Sequence, residues 1–340
     1  MSSLAELTTL RLGGPAHHLV EVTSDEEAVA AVRGGDDLLI LAGGSNVVIA
    51  DEGFPGTVVL LRQRGIEAET RPGGVVHLTV AAGHPWDDVV AAAVASGWSG
   101  IESLSGIPGS AGATPIQNVG AYGQEVAETI TAVRVYDRVR DEVLTMPAAA
   151  CGFAYRTSVF KHNDRFVVLS VTFALAGSPL STPVRYAELA RTLGVEQGAA
   201  APLDEVRAAV LKLRAGKGMV LDPTDRDTFS VGSFFTNPVV AADAVATVRA
   251  AAGEPPAWPA PDGMVKLSAA WLIERAGFGK GYGTPGSGVA LSGKHTLALT
   301  NRGDGTTAAL LGLAREIQAG VRAKFGVELH PEPVLVNCEL

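Results

Sequence analysis

The chain has 340 residues, 47% hydrophobic and 19% charged, which is too long for one ordinary core and too apolar for a disordered polymer. Lys+Arg 27 against Asp+Glu 36 leaves a net charge of −9 with no dense basic run, which argues against polyanion binding while leaving room for a small anion held by a few cations. Two cysteines, Cys151 and Cys338, cannot build a disulfide framework, and no Cys/His cluster suggests zinc.

The opening segment Met1-Ser2-Ser3-Leu4-Ala5-Glu6 has neither a basic nor an apolar leader region. The longest apolar stretches, such as residues 89–95, fall far short of the ~20 residues a spanning helix needs. A soluble cytoplasmic protein is expected. In chain order, Ser24-Asp25-Glu26-Glu27 has capping-box spacing and precedes Ala28, Val29 and Val32 on one helical face. Residues 38–41, 57–61 and 75–81 read as buried strands, and 86–96 as a helix stopped by Gly97. Strand patterning returns over 131–143 and 166–175, closing an α+β domain near residue 178.

Residues 196–202 have the composition of a linker or surface loop. Beyond them 203–213 reads as a helix with Val206, Val210 and Leu213 on one side. Residues 268–276 form a helix closed by Gly277, and 288–300 alternate like a strand. Residues 306–325 carry Leu310, Leu313, Ile317, Val321 and Phe325 at helical spacing before Gly326. The second half is a separate α+β domain, and there is no internal repeat.

Two glycine-rich segments carry chemistry. Ala42-Gly43-Gly44-Ser45-Asn46 directly follows a strand, where small residues let successive N–H groups face one anion; it is equally compatible with an ordinary turn. It matches neither the Walker nor the G-x-G-x-x-G pattern. Residues 100–123, GIESLSGIPGSAGATPIQNVGAYG, combine six glycines with Gln117, Asn118 and Tyr122, a long loop of the functional kind against which a large flat ligand can lie.

The latter run, from Gly-Ile-Pro-Gly to Pro-Ile-Gln-Asn-Val-Gly-Ala-Tyr-Gly, resembles the FAD-binding loop of the UDP-N-acetylenolpyruvoylglucosamine reductase family, flavoproteins of the vanillyl-alcohol-oxidase type. Counterparts follow in family order at TLRLGGPA (9–16), Gly43-Gly44-Ser45-Asn46, FAYRTSVFK (153–161), GSFFTNP (232–238) and Pro331-Glu332, covering nearly the whole chain. The resemblance implies an α+β chain with a two-lobed FAD-binding domain over 8–178 and a C-terminal α+β substrate-binding domain over 203–340.

It further implies non-covalent FAD, NADPH as reductant and a UDP-sugar substrate, in a monomer that binds neither nucleic acid nor membrane. The step would belong to peptidoglycan synthesis and so to cell-wall biogenesis, cell shape and division. By resemblance, Arg156 and Glu332 polarise an enolpyruvyl carboxylate and Ser233 is the general acid. A serine can serve because the protonated atom is a carbanion-like carbon far more basic than an alkoxide. Gly43, Gly44, Ser45, Asn46, Gly109, Ser110, Gln117, Asn118, Gly120 and Ala121 are the implied cofactor contacts. Tyr122, Tyr186, Lys217, Asn237 and Trp258 are the implied substrate contacts, with Tyr186 marking the subtype that carries a mobile tyrosine loop.

Trp258 stands where relatives often have tyrosine, Ala42 replaces a common glycine, and His330 takes a position often held by Glu. Pro333 restricts the backbone after Glu332. None of these removes a catalytic group. Two alternatives remain at this point: another FAD-dependent oxidase or dehydrogenase of the same superfamily, and a non-catalytic nucleotide-binding module.

Overall fold

The computed structural model describes residues 2–340, which divide into two compact units. One comprises residues 17–43 and Pro55–Val220. The other comprises residues 2–16, Gly44–Phe54 and Leu221–Leu340.

The first unit is built on an antiparallel sheet in which Glu142–Pro147, Ile130–Asp137, Phe166–Gly177, Val75–Ala81 and Ile66–Thr70 lie side by side in that order, with Trp98–Ser99 also paired to Phe166–Gly177. Alternation along the central strand buries Val167, Leu169, Val171, Phe173 and Leu175 on one face. The helix Trp86–Ala95 covers them with Trp86, Val89, Val90 and Ala93, and the Trp86 and Phe173 rings meet at 5.5 Å. Burying a ring such as Phe173 stabilises by about 1.5–3 kcal/mol. A second layer places Pro15–Val22, Phe54–Leu61 and Leu38–Leu41 side by side, the last two parallel.

The expected strand over 131–143 is two strands separated by a turn. Asp137 accepts from the amides of Val139 and Arg140, and Asp141 takes a left-handed φ of 51°, so a side chain imposes the reversal through which the apolar alternation runs on. Residues 196–202 are not a free linker. Gly198 N donates to Val184 O, Val184 N to Ala199 O and Ser181 N to Ala201 O, folding the segment back before the helix Leu203–Gly216. That helix and Ala187–Leu193 share a small core of Val184, Leu189, Val206 and Val210.

The second unit packs the long helix Thr307–Phe325 against Ala269–Ala276 and short strands. Thr306 caps the long helix through the Ala309 amide, and Gly326 ends it with φ 67°. Asp51 accepts from the first-turn amides of Thr307 and Ala308 at 2.8 and 2.9 Å. Val47–Ile49 pairs parallel with Val334–Val336, and Leu10, Leu12 and Val48 enter the core. Those long-range bonds are why segments from the first sixth of the chain belong to this unit, while the core shared by Leu203–Gly216 and Ala187–Leu193 keeps residues up to Val220 in the first. The expected strand over 288–300 is a pair, Val289–Leu291 and Leu299–Asn301. Among the described residues no helix is long and apolar enough to cross a membrane.

Candidate active site

In the first unit, residues 100–123 are ordered by their own turns. Thr114 donates to Ala111 O and Val119 N to Thr114 O, while 3-10 turns occupy Glu102–Leu104 and Ala111–Ala113. Gly43 approaches this loop so closely that a Cβ on it would lie 2.5 Å from Gly109 Cα. Gly109 has φ 117°, and its carbonyl accepts from Trp86 N at 3.0 Å. Next to it Ser110 Oγ is enclosed with no hydrogen-bond partner among the described residues. Main chain brought this close at Gly43 and Gly109, with an enclosed, unpartnered hydroxyl beside it, is compatible with a polar cofactor lying against the loop.

The other implied cofactor residues distribute as follows. Gln117, Asn118, Gly120 and Ala121 lie on the far limb of the loop, and Gly120 and Ala121 form the short strand Gly120–Ala121. Asn118 is 1% exposed, and its carboxamide is engaged by Glu125, the Ala154 carbonyl and the Ala127 amide, so the group fixes the loop. Gly44, Ser45 and Asn46 belong to the second unit. Gly44, at φ 55°, accepts from Thr9 N, and the Asn46 carbonyl accepts from Val334 N.

Arg156 is displayed at the tip of a two-residue turn. Ala154 and Thr157 exchange both backbone bonds, and Arg156 adopts φ 54°, an unusual conformation for a residue with a side chain. The turn is docked on the glycine-rich loop, since Ser158 Oγ donates to Ile116 O and Arg156 Nη2 donates to Gly120 O at 2.8 Å. Its guanidinium also lies 5.4 Å from the Tyr155 ring centroid.

Tyr122, Tyr186 and Lys217 converge in the same unit. The two rings meet edge to face at 5.4 Å, and Lys217 Nζ sits 5.8 Å from the Tyr122 centroid while donating to Glu188 at 2.6 Å. Burial pulls the Lys217 ammonium down, but the Glu188 bond and neighbouring oxygens outweigh it and leave its pKa above the ordinary value. Burial raises the Tyr122 phenol against the opposing charges of Lys217 and Arg214.

Sequence reasoning passed over Arg214 and Glu188. Arg214 has an enclosed Nε with no partner among the described residues, while Nη2 donates to Met219 O. The signal was present: Arg214 follows Val206 and Val210 at four-residue spacing, a charge where the apolar stripe predicts a core residue.

In the second unit, Ser233 and Glu332 are neighbours. Phe235 bridges antiparallel to Pro331, and Glu332 N donates to Phe234 O at 2.9 Å. Phe234 and Phe235 are fully buried against each other at 5.1 Å, anchoring the strand beside half-buried Ser233. Asn237 Oδ1 accepts from Ala269 N, tying it to the start of a helix. Trp258 is 46% exposed, with Lys266 Nζ 6.0 Å from its ring. Among the described residues no His/Cys/Asp/Glu group could hold a metal.

Comparison with known proteins agrees with this layout. An FAD binding domain profile matches residues 16–146, and one described as UDP-N-acetylenolpyruvoylglucosamine reductase, C-terminal domain, matches 222–336. The chain is 61% identical to the UDP-N-acetylenolpyruvoylglucosamine reductase of Salinispora arenicola, covering 99% of this chain and 95% of that one. Against its namesake in Thermobifida fusca the figures are 56%, 99% and 97%. The fold resembles the crystal structure of the Thermus caldophilus enzyme of that name with a TM-score of 0.67 at 24% identity, over 98% of this chain and 97% of that one.

Proposed function

The chain belongs to the UDP-N-acetylenolpyruvoylglucosamine reductase family and is an FAD-binding oxidoreductase, and from that premise we propose how its own residues carry the reaction. The substrate is UDP-N-acetylglucosamine enolpyruvate and the product UDP-N-acetylmuramate, a cytoplasmic step of peptidoglycan synthesis. Gly43, Gly44, Ser45, Asn46, Gly109, Ser110, Gln117, Asn118, Gly120 and Ala121 would hold FAD non-covalently, and the bound group would supply a hydride drawn from NADPH.

Arg156 meets the enolpyruvyl carboxylate with a planar fork, stabilising the negative charge that spreads onto it when the methylene carbon is reduced. Glu332 shares with Arg156 the task of polarising that carboxylate. Ser233 delivers its hydroxyl proton to the carbon bearing the ether oxygen, completing net addition of H⁻ and H⁺ across the double bond. Lys217 and Tyr186 close on the diphosphate, the tyrosine being the mark of the subtype, and Tyr122, Asn237 and Trp258 contribute further substrate contacts. The enzyme acts as a monomer.

The observation that carries this reading is the adjacency of Ser233 and Glu332, a proton donor and a carboxylate held on neighbouring backbone segments. A general flavoprotein oxidase has no need of that pairing, and a non-catalytic nucleotide-binding module has no use for a proton donor beside a carboxylate. The test is anaerobic stopped-flow absorbance of the holoenzyme, first with NADPH and then with the enolpyruvyl nucleotide. Bleaching followed by recovery of the oxidised flavin band is expected. Bleaching without recovery would overturn the substrate assignment.

A further inference from the structure

Glu102 is fully buried, yet every group bonded to its carboxylate is a neutral donor. Oε2 accepts from Gly100 N at 2.6 Å. Oε1 accepts from Thr182 N at 2.9 Å, Thr182 Oγ1 at 3.1 Å and Gln124 Nε2 at 3.1 Å. Gln124 also donates to Thr182 Oγ1 at 2.8 Å and accepts from Ser103 N at 2.9 Å. A carboxylate stripped of water is costly unless its lone pairs are met, and here they are met by the two ends of the glycine-rich loop and by one residue far along the chain.

That residue opens the segment that carries Tyr186. Between them the chain has little freedom: Pro183 fixes its own φ, Val184 is buried, and Arg185 pairs with both carboxylate oxygens of Glu128 and with Gly123 O. Gly123 ends the glycine-rich loop, and Glu128 lies just beyond it. The tyrosine is therefore referenced at each end of its approach to that loop, once through a buried carboxylate and once through an exposed ion pair.

We propose that Glu102 is a positioning residue that sets Tyr186 against Tyr122 and Lys217, so that a group outside the binding surface governs affinity for the nucleotide diphosphate. This rests on the reading of Tyr186 as a substrate contact. In Glu102→Gln an amide NH₂ must face either Gly100 N–H or Thr182 N–H, so the span between loop and tyrosine segment is cut at one end whichever way the amide turns.

The experiment compares holoenzyme of wild type, Glu102→Gln, Tyr186→Phe and the double variant. With Glu102→Gln, KM for the enolpyruvyl nucleotide rises roughly tenfold, the loss of about one hydrogen bond's net contribution. Flavin reduction by NADPH stays within twofold of wild type. In the double variant Tyr186→Phe adds little to that KM, because the tyrosine has already lost its place. An unchanged KM in Glu102→Gln beside an impaired Tyr186→Phe overturns the proposal alone, as do KM effects that multiply in the double variant. A wild-type KM in Tyr186→Phe overturns the substrate role of the tyrosine and the proposal with it. Should Glu102→Gln fail to retain flavin, Thr182→Val decides: it removes only the hydroxyl and must raise the same KM severalfold, and a wild-type value there overturns the proposal.

Discussion

The amide of Glu332 donates to the carbonyl of Phe234 at 2.9 Å, which sets the carboxylate-bearing residue one register step from Ser233. The two are therefore positioned by one strand pairing, and the consequences of altering them are separable. Ser233→Ala leaves this backbone bond intact and deletes only the proton donor. NADPH should still bleach its flavin at the wild-type rate, whereas recovery on adding the enolpyruvyl nucleotide slows roughly 10²–10⁴-fold, the usual contribution of a general acid. Recovery at the wild-type rate would remove Ser233 from that role.

Lys217 should matter to binding more than to chemistry. Lys217→Met deletes a charge-assisted contact of about 1.5–3 kcal/mol, raising KM for the nucleotide roughly 10- to 100-fold with kcat much less affected. The pH dependence has a definite sign. The Glu188 bond holds the ammonium's pKa above its ordinary value, so substrate affinity persists on the alkaline side and falls only as pH rises through that raised value. Glu188→Gln removes the largest raising influence and leaves burial opposed only by the two tyrosine oxygens, so the alkaline fall should move to lower pH. A KM–pH profile of the two enzymes checks the direction.

Gly43→Ala should impair flavin retention. Its Cβ would lie 2.5 Å from Gly109 Cα and 2.9 Å from Gly109 C, contacts that only backbone movement can relieve. Overpacking of this kind costs about 1–3 kcal/mol, so the FAD dissociation constant, followed by quenching of flavin fluorescence, should rise at least fivefold.

Acid stability should depend on Asp137. Arg165 engages both of its oxygens, at 2.9 and 2.6 Å, and this first, then the Val139 and Arg140 amides, depresses its pKa to about 2. A depressed carboxylate contributes stability that is complete above its ordinary pKa and is lost as pH falls through the folded value. Asp137→Asn keeps an acceptor for the two amides but sets an NH₂ against Arg165. Its melting temperature at pH 7 should fall, and melting curves between pH 4 and pH 2 should decline less steeply than those of wild type.

Local physics wrote several features of this fold plainly into the chain. Ser24 accepts from Glu27 N at 3.1 Å as the capping-box spacing implied, although the Glu27 carboxylate reaches back to Thr23, one residue earlier than that motif prescribes. Gly277 and Gly326 end their helices in the left-handed region. Turns made by side chains were harder to see: the reversal after Asp137 sits inside an unbroken alternation, and only the Asp137/Asp141 pair betrays it.

The site was legible where a motif was contiguous, as in residues 153–161, and opaque where partners are far apart in sequence. Nothing local to Asp51 announces that it caps the helix at Thr307, and nothing local to Glu102 announces Thr182. Such pairings leave no periodic trace because each depends on one side chain meeting another segment only after the chain has folded.

The parallel zip of Val334–Val336 onto Val47–Ile49 carries a temporal consequence. During synthesis the earlier strand waits, unpaired on that edge, until the chain through Val336 has emerged. Because only Pro333 separates Glu332 from the later strand, its acid group is seated when that pairing forms. A nascent chain can thus acquire much of its sheet structure before the acid group proposed for the reaction has its place.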